Sequence, residues 1–137
     1  MRFVYSVVRF VPHPVRGEFI NVAAIVGSEA LGVWKSRRVG NAHRAQQVDE
    51  HHTLPAVWDF LADVDAQIHA QEARPVTGSL CEDGLTEAWF AQLSERCQNV
   101  VQLTPPCPMV AEFVDEALDM VFDALIVDGE PISFDVP

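Results

Sequence analysis

The feature that most constrains the fold of this chain is a pair of strongly apolar runs separated by a short gap. The runs cover residues 2–11 and 19–27, and both are rich in valine, alanine, isoleucine or phenylalanine. Such segments are typical of β-strands. Apolar residues occupy both alternating positions, so we expect each strand to be covered on both faces. The short gap favours an antiparallel pair.

The rest of the chain predicts one more early strand and then mostly helices. Because its residues are mainly polar, the segment 33–39 is typical of an edge strand. Helical spacing of apolar residues, with Thr53 as a cap for the second helix, predicts four helices and one late strand. The predicted helices cover residues 42–50, 85–96 and 109–127, and the strand covers 99–103. The second helix follows Thr53, and its apolar stripe consists of Leu54, Val57, Phe60 or Leu61, Val64 and Ile68. This order predicts an α+β fold, a small antiparallel sheet of three to four strands with helices packed against it.

The size of the chain fits one domain, residues 1–137. No uncharged apolar run is long enough to cross a bilayer, and Arg9 interrupts the N-terminal apolar stretch too early for a signal peptide. We therefore expect a cytoplasmic protein. Three widely spaced cysteines without a Cys-x-x-Cys motif argue against a disulfide framework and a zinc knuckle.

The charge is distributed unevenly along the chain. The formal net charge is −11; residues 1–44 hold seven basic and two acidic side chains, and residues 45–137 hold two basic and eighteen acidic ones. An acidic surface repels phosphates, which argues against nucleic acid as a partner. A basic protein surface fits better.

Four polar residues lie in and between the first two predicted strands, namely Arg9, Arg16, Glu18 and Asn21. In one interpretation they line a binding pocket for an anion or a peptide, for which arginine is well suited. In the other they form a structural network, in which a carboxylate pairs with Arg9 and Asn21 holds the turn. We favour the second interpretation, with Arg16 and Glu18 more exposed than Arg9.

The segment Asp49–His52, together with His43, offers several possible metal ligands. No His-x-x-x-His motif or equivalent spacing is present, and neighbouring histidines at a helix end point in different directions. We therefore predict neither a metal site nor a cofactor.

The last predicted helix has an acidic face opposite its apolar face. Such a face is most often simply solvated, but here it is also a candidate surface for a basic partner. Its members are Glu112, Asp115, Glu116, Asp119 and Asp123. A smaller basic group, from which we expect internal ion pairs, consists of Lys35, Arg37, Arg38 and Arg44.

Two segments of the chain resemble a known family. "YSVVRFVPHPVRGEFINVA" (residues 5–23) resembles the opening of an uncharacterised bacterial and phage family, domain of unknown function 3037. "NVVQLTPPCPM" (residues 99–109), followed by "EALDMVFDALI" (residues 116–126), is similar to its closing segment. The family implies no established activity. Its frequent placement beside a HipA-like kinase implies a role as partner or regulator, and a phage-borne member would act on a host protein.

Two hypotheses for the function follow. The first is a non-enzymatic protein-binding module that modulates a HipA-like kinase or a host protein. The second is a small hydrolase or nuclease-like enzyme that uses Arg9, Arg16, Glu18 and Asn21. Nucleophile, phosphate-loop and dinucleotide-binding motifs are absent from the sequence, which favours the first.

Overall fold

A computed structural model of the chain describes residues 1–13, 15–72, 85–96 and 99–126, and places β1 (Arg2–Phe10) at the centre of a sheet. β1 pairs antiparallel with β2 (Ile20–Ser28). Backbone hydrogen bonds from Arg16 and Gly17 to the carbonyl of His13 close the turn between them. The predicted antiparallel pair is therefore present.

Three further strands complete the sheet. β3 (Val33–Arg38) pairs with β2 and is an edge strand, as its polar composition predicts. β4 (Val101–Leu103) and β5 (Cys107–Val110) both pair antiparallel with β1, at its second and first half respectively. The sheet thus has the order β3-β2-β1, with β4 and β5 sharing the free edge of β1.

Thr104 bridges the interruption between β4 and β5. Its backbone N–H donates to the carbonyl of Val7, and its Oγ1 accepts a hydrogen bond of 2.9 Å from the N–H of Val7. Its carbonyl accepts a further bond of 2.8 Å from the Ser6 hydroxyl. The prolines that follow cannot donate to a ladder, so this side chain maintains the edge where regular pairing stops.

The last helix begins later than predicted. α4 covers Val114–Leu125, whereas the sequence predicted a helix from Met109. Residues 107–110 instead form β5, where Met109 pairs with Phe3 and occupies backbone groups of β1 that would otherwise lie at an open edge. Glu116 Oε1 accepts a hydrogen bond of 2.7 Å from the Glu112 N–H, which fixes the helix start.

Helices cover both faces of the sheet. α4 packs on one face, where Asp115 binds Lys35; α2 (Leu54–Glu72) packs on the other, where Asp65 accepts a hydrogen bond from Ser36. α3 (Glu87–Arg96) lies beside α2, where Trp89 Nε1 donates a hydrogen bond of 2.9 Å to Gln67 Oε1. The short α1 (His43–Val48) contacts β2. The structure therefore confirms the predicted α+β fold with an antiparallel sheet.

The core contains the apolar stripe predicted for α2. Its fully buried members are Leu54, Val57, Leu61, Val64 and Ile68, and Phe60 is only partly buried. Under this layer the ring of Trp34 packs edge-on against Trp89 and Phe90. The predicted loop 74–84, the tail 128–137 and two of the three cysteines lie outside the described residues.

Membrane insertion has no candidate segment among the described helices. None of them combines the length and the apolar character that crossing a bilayer requires.

Candidate functional site

The β1–β2 register shifts by one residue between Val8 and Arg9, where Val22 of β2 is skipped, and this shift places Arg9 opposite Asn21. The Nε of Arg9 donates a hydrogen bond of 3.3 Å to Asn21 Oδ1. The amide nitrogen of Asn21 in turn donates to the carbonyl of Leu125 at 2.8 Å. Because this carbonyl lies in the last turn of α4, Asn21 ties the sheet to the end of the helix.

The guanidinium of Arg9 also stacks on an aromatic ring, with its central carbon 4.0 Å from the centroid of Phe19. Among the described residues, no carboxylate lies within ion-pair distance of Arg9. An amide and a phenyl ring therefore take the place of the predicted acidic partner. Arg9 is only partly buried, so its remaining donors do not require a second protein charge.

Arg16 and Glu18 form a separate, exposed pair. Their side chains are 60% and 66% exposed, and Arg16 Nη1 lies 3.8 Å from Glu18 Oε1. Gly17 between them has a φ of 77°, in the left-handed region that glycine adopts without strain. The four predicted site residues thus separate into a partly buried pair, Arg9 with Asn21, and an exposed pair, Arg16 with Glu18. Asn21 bonds to α4 rather than to the turn that the structural interpretation named.

A small hollow of about 170 Å³ lies beside Asn21. It is lined by Phe19, Ile20, Asn21, Arg44 and Leu125. Of the four predicted site residues, only Asn21 contributes to it. The sequence did not indicate that Arg44 lines this hollow. Its place there depends on how α1 packs on β2, which no local pattern shows.

A larger cavity of about 390 Å³ lies between β3 and α2, and sequence reasoning missed it. Its lining includes Ser36, Asp65 and His69. The hydroxyl of Ser36 donates to Asp65, which also accepts a hydrogen bond of 3.4 Å from Arg38. The carboxylate therefore serves to hold β3 against α2, and the serine hydroxyl is not directed to an imidazole that could activate it.

Two acids on α4 form ion pairs with basic side chains of β3. Asp115 binds the Lys35 ammonium at 2.8 Å, and Asp119 binds the Arg37 guanidinium at 3.0 Å. Arg37 also stacks on the ring of Phe122, 3.9 Å from its centroid. Lys35 and Arg37, like Arg38 with Asp65, thus form the ion pairs expected of the basic group, whereas Arg44 forms none among the described residues.

Along α4 and just before it, three acids form no ion pair among the described residues: Glu112, Glu116 and Asp123. Exposed apolar side chains accompany them. Phe113, the N-cap residue of α4, is 58% exposed, and Met120, seven residues further along, is 49% exposed. We call this stripe of five residues the α4 surface.

Two further exposed apolar side chains, Val110 and Met1, lie at the sheet edge that precedes α4. Val110 is 73% exposed and precedes Phe113 by three residues. Met1, which is 64% exposed, exchanges backbone hydrogen bonds with Ala111 and so lies next to Val110. Solvent-exposed apolar side chains grouped in this way are typical of interaction surfaces.

One group of possible metal ligands was not predicted. The fold brings His13 beside Glu50 and His51, with one ligand atom of each within 4.8 Å of the others. Glu50 and His51 belong to the segment Asp49–His52, but His13 lies far from them in the sequence, so no local spacing indicates the group.

Comparison with known proteins identifies one family that matches most of the chain. No curated protein and no solved structure matches the chain significantly. The family described as "Protein of unknown function (DUF3037)" matches residues 5–126, from β1 to the end of α4. This range includes both segments that suggested the resemblance. The chain therefore belongs to the DUF3037 family.

Proposed function

We propose that this protein is a non-enzymatic protein-binding module that docks a basic partner on its α4 surface. The observation that carries the proposal is a set of exposed apolar and acidic side chains along α4 and its N-cap: Phe113, Met120 and Asp123, with the half-buried Glu116 between them. Aromatic and methionine side chains are enriched in interface cores, where they supply most of the binding energy.

Charge selects the kind of partner. Asp115 and Asp119 are already neutralised by β3, but Glu112 and Asp123 are exposed and in no ion pair among the described residues. The chain after residue 44 holds eighteen acidic and only two basic side chains. A partner surface with lysine or arginine around an apolar centre would complement both features.

The family resemblance suggests which partners to test first. A HipA-like kinase encoded nearby, or a host protein for a phage-borne member, would be bound in the cytoplasm and modulated by occupancy of its basic surface. The alternative enzyme would require Arg9, Arg16, Glu18 and Asn21 to converge on a cavity. Their separation into two pairs gives that alternative no support.

The test compares capture of partners by the full chain and by two double variants. Phe113→Ala with Met120→Ala truncates the α4 surface. Val15→Ala with Leu31→Ala removes two exposed apolar groups elsewhere and is the matched control. Captured proteins are identified by mass spectrometry, and the best candidate is then purified and titrated.

We expect the full chain to capture a basic partner, and we expect the control variant to bind this partner as well. Loss of two central apolar anchors should weaken binding of the purified partner by at least tenfold, since each anchor contributes about 1 kcal/mol or more. Equal binding by the α4 variant and the wild-type chain would contradict the proposed surface. Turnover of a substrate that depends on Arg9 and Asn21 would instead favour the enzyme.

A further inference from the structure

Three side chains from two separate loops meet at one point of the surface, away from α4. His13 follows β1, whereas Glu50 and His51 lie in the turn between α1 and α2. Nε2 of His13 is 3.3 Å from Oε1 of Glu50. The rings of His13 and His51 meet edge-on, with their centroids 5.1 Å apart.

The Nε2 atom of His13 is buried and has no hydrogen-bond partner within the described part of the chain. The nearby Glu50 oxygen lies within ion-pair distance, but its direction does not meet the geometry of a hydrogen bond. A buried polar atom without a bond is costly. An ion between the two side chains would use the lone pair of this nitrogen.

We propose that His13, Glu50 and His51 bind a divalent transition-metal ion of the zinc type. Zn²⁺ takes imidazole nitrogen and carboxylate oxygen at about 2.0–2.1 Å, which at tetrahedral angles places neighbouring ligand atoms about 3.3 Å apart. The His13–Glu50 separation of 3.3 Å equals this spacing. Glu50 and His51 are exposed, so a fourth position is open to water or to a side chain of a partner.

Backbone contacts hold both loops in place without an ion. The carbonyl of His13 accepts hydrogen bonds from Arg16 at 2.9 Å and from Gly17 at 3.3 Å. In the other loop, the carboxylate of Asp49 accepts bonds from the start of α2, and His52 has a φ of 57° that turns the chain sharply. Because the ligands are positioned in advance, binding costs little ordering entropy.

An ordinary ion pair between protonated His13 and Glu50 is the competing explanation. Such a pair needs only these two side chains, whereas a metal ion also needs His51. Substitution of His51 therefore separates the two explanations. His51 is exposed, so its loss leaves the core intact.

The experiment uses the full chain, treated with a chelator and then dialysed, and titrates it with Zn²⁺ by calorimetry. Wild-type protein should bind one ion, and Zn²⁺ should raise its melting temperature. His51→Ala and Glu50→Gln should weaken binding at least tenfold, as even loss of a group that only orients a ligand costs that much. His69→Ala, an exposed histidine on α2, and His52→Asn, which tolerates the positive φ, should bind like the wild type.

Substitution of Zn²⁺ by Co²⁺ gives an independent measure, because the intensity of its visible absorption distinguishes a four-coordinate protein site from the six-coordinate hydrated ion. The proposal is overturned if the wild type takes up no Zn²⁺ at one equivalent. It is equally overturned if His51→Ala binds Zn²⁺ as tightly as the wild type, or if His69→Ala loses as much affinity. No variant of the half-buried His13 is needed for this decision, because His51→Ala tests the site on its own.

Discussion

Gly27 lies directly opposite Trp34 on the β2–β3 ladder, and the indole ring fills the space that a side chain on Gly27 would occupy. Trp34 is fully buried, and its Nε1 donates a hydrogen bond of 3.2 Å to the carbonyl of Leu85. Gly27 is therefore required by close packing rather than by an unusual backbone conformation. The ring it admits connects the sheet to the helix layer.

Substitution of Gly27 by alanine should destabilise the protein by about 1–3 kcal/mol or more, because a rigid buried ring must move. Denaturant unfolding measures this cost. The matched background is Trp34→Leu, in which the clashing ring is absent and the cost of Gly27→Ala should fall clearly. Equal costs in both backgrounds would show that the ring is not what excludes a side chain.

The carboxylate of Asp49 holds the start of α2. Oδ1 accepts the N–H of Thr53 at 2.8 Å, and Oδ2 accepts the N–H of Leu54 at 2.9 Å. Asp49→Ala should lower the free energy of unfolding by about 1 kcal/mol, as for loss of other helix caps. Asp59→Ala, an exposed acid on the same helix, is the control and should change stability little.

The same carboxylate makes a stability contribution that depends on pH. Burial by itself raises the pKa of Asp49, but the hydrogen bonds from Leu54 and Thr53 outweigh it and lower the pKa below its ordinary 3.8. A lowered pKa stabilises the folded state above the unfolded pKa, and this stability is lost as pH falls through the folded value. The difference in melting temperature between wild type and Asp49→Ala should be constant at neutral pH and shrink below about pH 4. A constant difference in acid would contradict this assignment.

Local patterns were enough to predict much of this fold. The two apolar runs gave β1 and β2 as a covered antiparallel pair, and the polar composition of residues 33–39 gave the edge strand β3. Periodicity also identified the buried stripe of α2. Each of these features depends on the spacing of neighbouring residues, which the sequence displays directly.

Features that depend on distant contacts were missed. The apolar spacing after Met109 is compatible with a helix, but the open edge of β1 makes residues 107–110 a strand. Arg9 was expected to meet a carboxylate, yet a register shift in the β1–β2 ladder aligns it with Asn21. His13 reaches Glu50 only because two loops lie side by side in the folded chain. No local pattern encodes these three relationships.

Binding of a basic partner to the α4 surface should be assisted by charge. The association rate measured by stopped flow should fall as salt rises, because exposed charges are screened beyond about 10 Å at 0.1 M salt. Glu112→Gln with Asp123→Asn should lower the rate and flatten its dependence on salt. Asp59→Asn with Asp63→Asn removes the same charge from α2, on the other face of the sheet, and should change the rate less. A rate indifferent to salt would exclude electrostatic assistance.

The final prediction separates the roles of Arg9 and Arg16. Arg9→Ala removes a hydrogen bond to Asn21 and the stacking on Phe19, so it should cost about 1–3 kcal/mol and lower the melting temperature clearly. Arg16→Ala and Glu18→Ala break only an exposed pair at 3.8 Å, which contributes little, and should melt like the wild type. Thermal melts of the three variants measure the difference. If Arg9→Ala melts like the wild type while Arg16→Ala is destabilised, the structural role belongs to the loop, and the Arg9 pair is then available for binding.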